Sequence, residues 1–72
     1  MPYEWEFGDR LRAARKKAGM NQWALAMAVQ VSQNAISNWE NGHKLPNVRV
    51  ACKLAEALRV STGWLVAGEG RA

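Results

Sequence analysis

The stretch that decides the fold is Ser32–Gly42, with the sequence SQNAISNWENG. Read at 3.6 residues per turn, Ile36, Trp39 and Glu40 share one face, because they stand at positions i, i+3 and i+4. The serine that opens the stretch can cap the first turn by accepting a hydrogen bond from a free backbone amide, and the glycine that closes it can end the helix in a left-handed turn. The stretch therefore predicts a short helix with defined ends and one buried stripe.

The opposite face of this helix carries amides and hydroxyls but no charge, at Gln33, Asn34, Ser37, Asn38 and Asn41. Asn is a poor helix former, roughly 0.5 kcal/mol or more worse than Ala at each site, and a merely solvated helix would carry Glu, Lys and Arg instead. A side-chain amide donates and accepts together, which matches N6 and N7 of adenine in the DNA major groove. From this helix alone, ordinary surface polarity and base recognition both remain open.

Positive charge is concentrated in the middle of the chain. The formal net charge is +4 at pH 7, and between Arg10 and Lys53 eight basic residues stand against one acidic residue, Glu40. Such a distribution favours a polyanion as the partner. A basic surface that serves only solubility is the alternative.

Length and cysteine content limit the class of protein. The 72 residues make one small domain, and Cys52 is the only cysteine, so that an internal disulfide is impossible and a buried apolar role is expected for it. The sequence has no zinc-ligand spacing, paired carboxylates, nucleophile with a base or phosphate-binding glycine loop. Its apolar runs are too short to span a membrane. We therefore expect a cytoplasmic protein that is not an enzyme and uses no cofactor or metal.

Four further helices are predicted from apolar spacing and capping residues. Their approximate ranges are 6–18, 22–29, 48–58 and 62–66. Their inner positions are, in chain order, Phe7, Leu11, Ala14 and Ala18; Leu25, Ala26 and Val29; Val48, Ala51, Leu54, Ala55 and Leu58; and Trp64 and Leu65. The prediction is an all-α fold of five helices, with a lead-in at 1–6, a domain at 7–68 and a tail at 69–72.

Two short helices with a tight turn between them form a helix-turn-helix pattern in the middle of the chain. The turn is Gln30-Val31, which joins the second helix to the helix rich in amides. The second helix is apolar nearly all round, since Trp23 and Met27 lie on the face that a surface helix would make polar. The lead-in is ambiguous, because the spacing of its aromatic residues fits both a strand and a helix.

The sequence resembles the lambda-repressor-like, Cro-type helix-turn-helix domain over about residues 7–68. The resemblance rests on the joint spacing of loose motifs: Phe7-Gly8-Asp9-Arg10-Leu11 and Arg15; Asn21-Gln22, Leu25-Ala26 and Val31-Ser32; Ile36-Ser37 and Trp39-Glu40-Asn41-Gly42; Pro46, Leu54-Ala55 and Leu58; and Val60-Ser61, Trp64-Leu65 and Gly68. It implies a compact domain that binds operator DNA as a homodimer, with the third predicted helix in the major groove and the second across it. The dimer would form either through the domain itself, around residues 58–66, or only on the DNA. It also implies a regulator of transcription, a repressor of phage or prophage type or an antitoxin, in a bacterium or phage.

Carried over by position, the resemblance assigns roles to individual residues. The base-reading residues are Gln33, Asn34, Ser37 and Asn38, and the phosphate-binding residues are Asn21, Gln22, Asn41, His43 and Lys44. Gln22 also resembles the family's glutamine that braces the first reading residue. Arg15 and Glu40 resemble the paired residues that tie helix 1 to helix 3.

The sequence also departs from the family's pattern. Gln30 stands where the family often has glycine, so we expect the turn to differ slightly there. Trp23 and Met27 occupy usually polar positions, and we expect them to be covered, either by the lead-in or by a protein partner. Scattered apolar residues exposed at the surface are the alternative. Cover by a protein partner leaves open an alternative function, a protein-docking module that retains the fold.

Overall fold

The structure, a computed structural model, describes residues 6–70, and in this part of the chain it is all-helical with five helices. The helices are α1 (Phe7–Lys17), α2 (Gln22–Val29), α3 (Gln33–Glu40), α4 (Val48–Leu58) and α5 (Thr62–Ala67). The predicted all-α fold and the helix-turn-helix at α2 and α3 are confirmed. No helix among the described residues is long and apolar enough to cross a membrane.

Four of the five helices begin at a serine or asparagine that caps them with its side chain. In each case the side-chain oxygen accepts from the backbone N–H three residues later, and the caps are Asn21, Ser32, Asn47 and Ser61. Such a bond satisfies one of the amide groups that a helix leaves without a partner at its start. The capping residues therefore fix where these helices begin, which explains why the sequence predicted their starts.

The centre of the core receives one large aliphatic side chain from each helix. These side chains are fully buried, and they belong to Leu11, Leu25, Ile36, Leu54 and Leu65. Because α3 packs against α1 and α2, it cannot shift without disturbing the packing of these two helices. Half-buried Trp64 packs against this cluster from α5.

The turn between α2 and α3 keeps a left-handed residue although it lacks glycine. Gln30 has φ 62° and ψ 47°, and its backbone N–H donates to the carbonyls of Ala26 and Met27. Gln30 thus adopts the left-handed conformation that glycine favours, although it carries a side chain. The cost of this conformation is on the order of 1 kcal/mol.

Three residues expected in the core lie at the surface. Val48 is 78% exposed, because it opens α4 where no other described element covers the first turn. Cys52 is exposed, since it stands about 100° round the helix from buried Ala51. Ala18 is exposed because α1 ends one residue earlier, at Lys17.

Gly8 lets α1 approach the end of α3 closely. A Cβ atom built on Gly8 would lie 2.5 Å from the backbone oxygen of Glu40 and 2.7 Å from that of Trp39. Only glycine fits at this distance, because backbone atoms cannot move aside as a flexible side chain can. The contact sets the spacing between α1 and α3.

Candidate nucleic-acid interface

The exposed face of α3 carries the predicted base-reading residues. Gln33 and Asn34 are exposed in the first turn, whereas Ser37 and Asn38 are half-buried one turn later. Ile36, on the opposite face, is fully buried and anchors the helix in the core. The result is a rigid helix whose outward side chains are neutral donors and acceptors.

The predicted phosphate-binding residues stand at two places beside this face. Asn21 caps α2, and its side-chain oxygen accepts from the backbone N–H of Ala24 at 2.7 Å. Asn41, His43 and Lys44 are exposed after the end of α3, where the His43 backbone N–H donates to the Asn38 carbonyl at 2.9 Å. The two groups lie at the start of α2 and just after the end of α3, which a hydrogen bond between Gln22 and Glu40 holds together.

Gln22 makes its described hydrogen bond to α3, but not to the first reading residue. Its Nε2 donates to Glu40 Oε1 at 3.1 Å, whereas the resemblance implied that it braces the first reading residue, Gln33. The bond fixes the orientation of the amide, since only the nitrogen can donate to a carboxylate. The second N–H of Gln22 Nε2 is not used in this hydrogen bond.

The structure brings Arg15 and Glu40 together in a buried, bidentate ion pair. Arg15 Nε lies 2.6 Å from Glu40 Oε2, and Arg15 Nη2 lies 3.0 Å from Glu40 Oε1. Arg15 Nη1 also donates to the Met20 carbonyl at 3.0 Å. This pairing joins α1 to α3 with the fork geometry that makes Arg–carboxylate contacts strong.

The pKa values of this pair are shifted in the directions that favour the charged forms. Burial by itself raises the pKa of Glu40, but the hydrogen bonds from Arg15 and Gln22 and the charges of Arg15 and Arg12 together hold it below its ordinary value. The hydrogen bond to Glu40 raises the pKa of Arg15, against the opposing effect of burial. Both groups therefore stay ionised at neutral pH.

Sequence reasoning missed two arginines of α1. Arg12 Nη2 donates to the backbone carbonyl of Glu40 at 3.2 Å and to Asn41 Oδ1 at 3.3 Å. Arg10 is buried and donates to the carbonyls of Leu65 and Val66, at 2.9 and 3.1 Å, which ties α1 to the end of α5. Both sets of contacts join residues far apart in the chain, so helical periodicity gave no signal for them.

Trp23 and Met27 remain at the surface of α2. Their side chains are 60% and 62% exposed, so the expected cover is not seen among the described residues. The lead-in that the sequence analysis proposed as the cover falls mostly outside the described residues, since only Glu6 of it is described. Among residues 6–70, no three His, Cys, Asp or Glu side chains group closely enough to hold a metal ion.

The fold and this surface define a class, the small all-helical domains that present a helix-turn-helix at the surface. The sequence pattern of the helix-turn-helix family matches residues 11–65, and the chain belongs to this family.

The chain is similar to several transcriptional regulators. It is 42% identical over 62 residues to the repressor protein C2 of Salmonella phage P22, and the match covers 86% of this chain and 29% of that protein. It is 36% identical over 59 residues to the HTH-type transcriptional regulator ImmR of Bacillus subtilis, with 82% of this chain and 46% of that protein covered. The chain thus spans less than half the length of these curated relatives, which are named as regulators and not as enzymes.

The structure is also similar to a solved protein–DNA complex. It matches the crystal structure of the P22 c2 repressor bound to synthetic operator 9T with a TM-score of 0.87 at 39% sequence identity. The match covers 92% of this chain and 100% of that chain. The lambda-repressor-like fold that the sequence predicted is confirmed.

Proposed function

We propose that this domain binds a specific double-stranded DNA sequence and regulates transcription, as a repressor. The observation that carries the proposal is the face of α3 formed by Gln33, Asn34, Ser37 and Asn38, which is uncharged and rich in amides. The helix below it is fixed by Ile36 in the core and by the Arg15–Glu40 pair at its end. A rigid helix with amide side chains suits the reading of base edges in the major groove. The P22 c2 repressor, which is similar in structure, has been solved in complex with a synthetic operator.

The phosphate backbone would supply affinity that does not depend on sequence. Asn21, Gln22, Asn41, His43 and Lys44 flank the reading face and suit this role. Among these residues, the Lys44 ammonium neutralises a phosphate charge, and each phosphate neutralised makes log affinity fall against log salt with a slope of about −0.9. In this proposal the protein acts in the cytoplasm of a bacterium, encoded by the bacterium or by a phage, and needs no cofactor.

The proposal includes a homodimer on a two-fold symmetric operator. An apolar groove of about 550 Å³ runs between α1, the loop before α4, and α5. Leu45, Val48 and Val66 line it and are exposed at 73%, 78% and 48%. Because Leu45 directly follows Lys44, a second copy on this groove would stand beside the phosphate contacts. Two domains paired in this way would read half-sites about one DNA turn, roughly 34 Å, apart.

A comparison of two substitutions tests the assignment of roles. Asn38→Ala should relax specificity at one or two base pairs, because each good amide–adenine pair discriminates by about 1–3 kcal/mol. Lys44→Ala should weaken binding to all sequences alike, because a phosphate contact carries no base information. The measurement is the affinity of each variant for an operator and for its single-base substitutions. Equal, uniform losses in both variants would show that the reading assignment is wrong.

A protein-docking module that retains the fold is the second candidate function. The exposed pair of Trp23 and Met27 on α2 favours it, since two large apolar side chains one turn apart are unusual on a free surface. A measurement of preference among DNA sequences distinguishes the two functions. A domain that only docks to protein shows no preference among DNA sequences, and a regulator does.

A further inference from the structure

Arg12 lies at the junction of α1 and α3 and is held there by groups of α3. Its Nη2 donates to the Glu40 backbone carbonyl at 3.2 Å and to Asn41 Oδ1 at 3.3 Å. Its Nε lies 3.5 Å from Glu40 Oε1. These contacts fix the plane of the guanidinium. They leave Nη1 without a described acceptor, and an arginine has five N–H donors to place.

The charges at this junction do not balance. Glu40 already has a bidentate partner in Arg15, so Arg12 is a second cation beside a single carboxylate. The cluster of Arg12, Arg15 and Glu40 therefore carries one net positive charge. Arg12 is the member that reaches solvent, since its side chain is 40% exposed against 10% for Arg15 and 1% for Glu40.

The end of α3 would by itself be a poor place for a phosphate. The last carbonyls of a helix carry partial negative charge, which repels an anion. Yet Asn41, His43 and Lys44, three of the proposed phosphate contacts, lie just after this end. Arg12 donates to the Glu40 carbonyl and places its positive charge there, so it offsets the repulsion where the backbone of DNA would pass.

We propose that Arg12 binds a phosphodiester of the DNA backbone beside the end of α3, with Glu40 and Asn41 holding its guanidinium in position. This inference rests on the proposed DNA binding and adds a residue to it. The guanidinium is already oriented in the free protein, so less side-chain freedom is lost when the phosphate arrives. Arg12 would thereby join Asn41, His43 and Lys44 into one phosphate-binding surface.

The salt dependence of binding tests the inference, because it counts phosphate contacts. Arg12→Gln should make the slope of log affinity against log salt shallower by about 0.9 for each protein chain. The variant's loss of affinity relative to the wild type should then shrink about 3.5-fold for each chain, or about 12-fold for a dimer, between roughly 50 and 200 mM salt. Lys53→Gln is the matched control, since it removes one exposed charge from α4, and its slope should stay at the wild-type value.

Arg12→Lys separates charge from fold. Lysine keeps the positive charge, so this variant should restore the slope of log affinity against log salt. It cannot reproduce the guanidinium contacts to Glu40 and Asn41. A damaged fold would instead make the Lys and Gln variants fail alike, and this result would overturn the inference. Thermal unfolding of each variant sets a temperature at which all are folded for the binding measurement.

Operator DNA with single neutral methylphosphonates locates the contact. At one position in each half-site, the neutral linkage should weaken wild-type binding about as much as the Arg12→Gln substitution does. The same linkage should weaken binding of the Arg12→Gln variant little further. If the wild type binds its operator but Arg12→Gln keeps the full slope and loses affinity at every methylphosphonate, Arg12 makes no phosphate contact. If the wild type prefers no sequence, the proposed function and the inference fall together.

Discussion

Glu40 joins the first three helices through a single side chain. It accepts from Arg15 in α1 and from Gln22 in α2, and it belongs to α3 itself. The ends of two helices and the start of a third are thus held by one buried carboxylate. The sequence indicated the pairing with Arg15, but not the contacts of Gln22 and Arg12 with the same group, because these depend on how the helices cross.

We expect Glu40→Gln to lower the free energy of unfolding by about 3–5 kcal/mol at pH 7, because it leaves the Arg15 guanidinium buried without a counter-charge. The pKa of Glu40 is lowered in the folded protein, so its contribution is full above the ordinary pKa of the carboxyl, about 4.3, and is lost as pH falls through the folded pKa. Wild type and variant should therefore converge in acid. Urea unfolding at pH 7 and about pH 3 measures this.

Glu56→Gln is the control for this prediction, since Glu56 is exposed on α4. We expect it to change stability by less than about 0.5 kcal/mol. If Glu40→Gln lowers the free energy of unfolding by the same amount at both pH values, the result contradicts the electrostatic explanation.

Gly8 is a second residue whose role depends on a long-range contact. We expect Gly8→Ala to destabilise the domain by about 1–3 kcal/mol, because the added Cβ would meet the backbone of Trp39 and Glu40. Gly63→Ala is the matched control, since a Cβ there meets nothing within 4 Å. It should be neutral or stabilise α5 by about 0.5–1 kcal/mol. Thermal unfolding measures the stability of both variants. Equal changes in stability would contradict the close approach of α1 to α3 at Gly8.

At the scale of elements, local chemistry explains most of what the sequence predicted. The bounds of α2 and α4 follow from Asn21 and Asn47 as caps and from the last buried residue of each helix. Predictions failed where burial depends on what lies across from a helix. Val48 fits the apolar stripe of α4 but lies exposed at the surface. In the same way, nothing in the spacing of α1 indicates that Arg10 is buried against α5.

The turn of the helix-turn-helix yields a prediction of its own. Gln30→Gly should stabilise the domain by on the order of 0.5–1 kcal/mol, because glycine adopts the left-handed conformation without strain but adds freedom to the unfolded chain. Gln30→Ala keeps the strain and should bring no gain. Denaturant midpoints of the two variants provide the comparison, and equal values would mean that the positive φ angle costs nothing here.

At the scale of the whole molecule, the domain measures 34 × 23 × 23 Å, and its candidate interface occupies one side of α2 and α3. The pattern of amides and the resemblance predict a base-reading role for this face of α3, and that role stays a prediction. The contribution of Arg12 could not be predicted from the sequence, because 28 residues separate it from Glu40. Nor does the chain itself specify which bases are read, since an amide on α3 selects its base only through the docking of the whole domain on DNA.

Selection of bound sequences from a pool of random duplex DNA, at about 150 mM salt, shows whether the domain recognises a specific sequence. We expect strong enrichment of a two-fold symmetric motif, with half-sites about one turn of DNA apart. A single half-site without its symmetric mate would contradict the homodimer and leave specific recognition standing. Binding without enrichment, lost as the salt concentration rises, would contradict sequence-specific recognition by α3 and favour the protein-docking function.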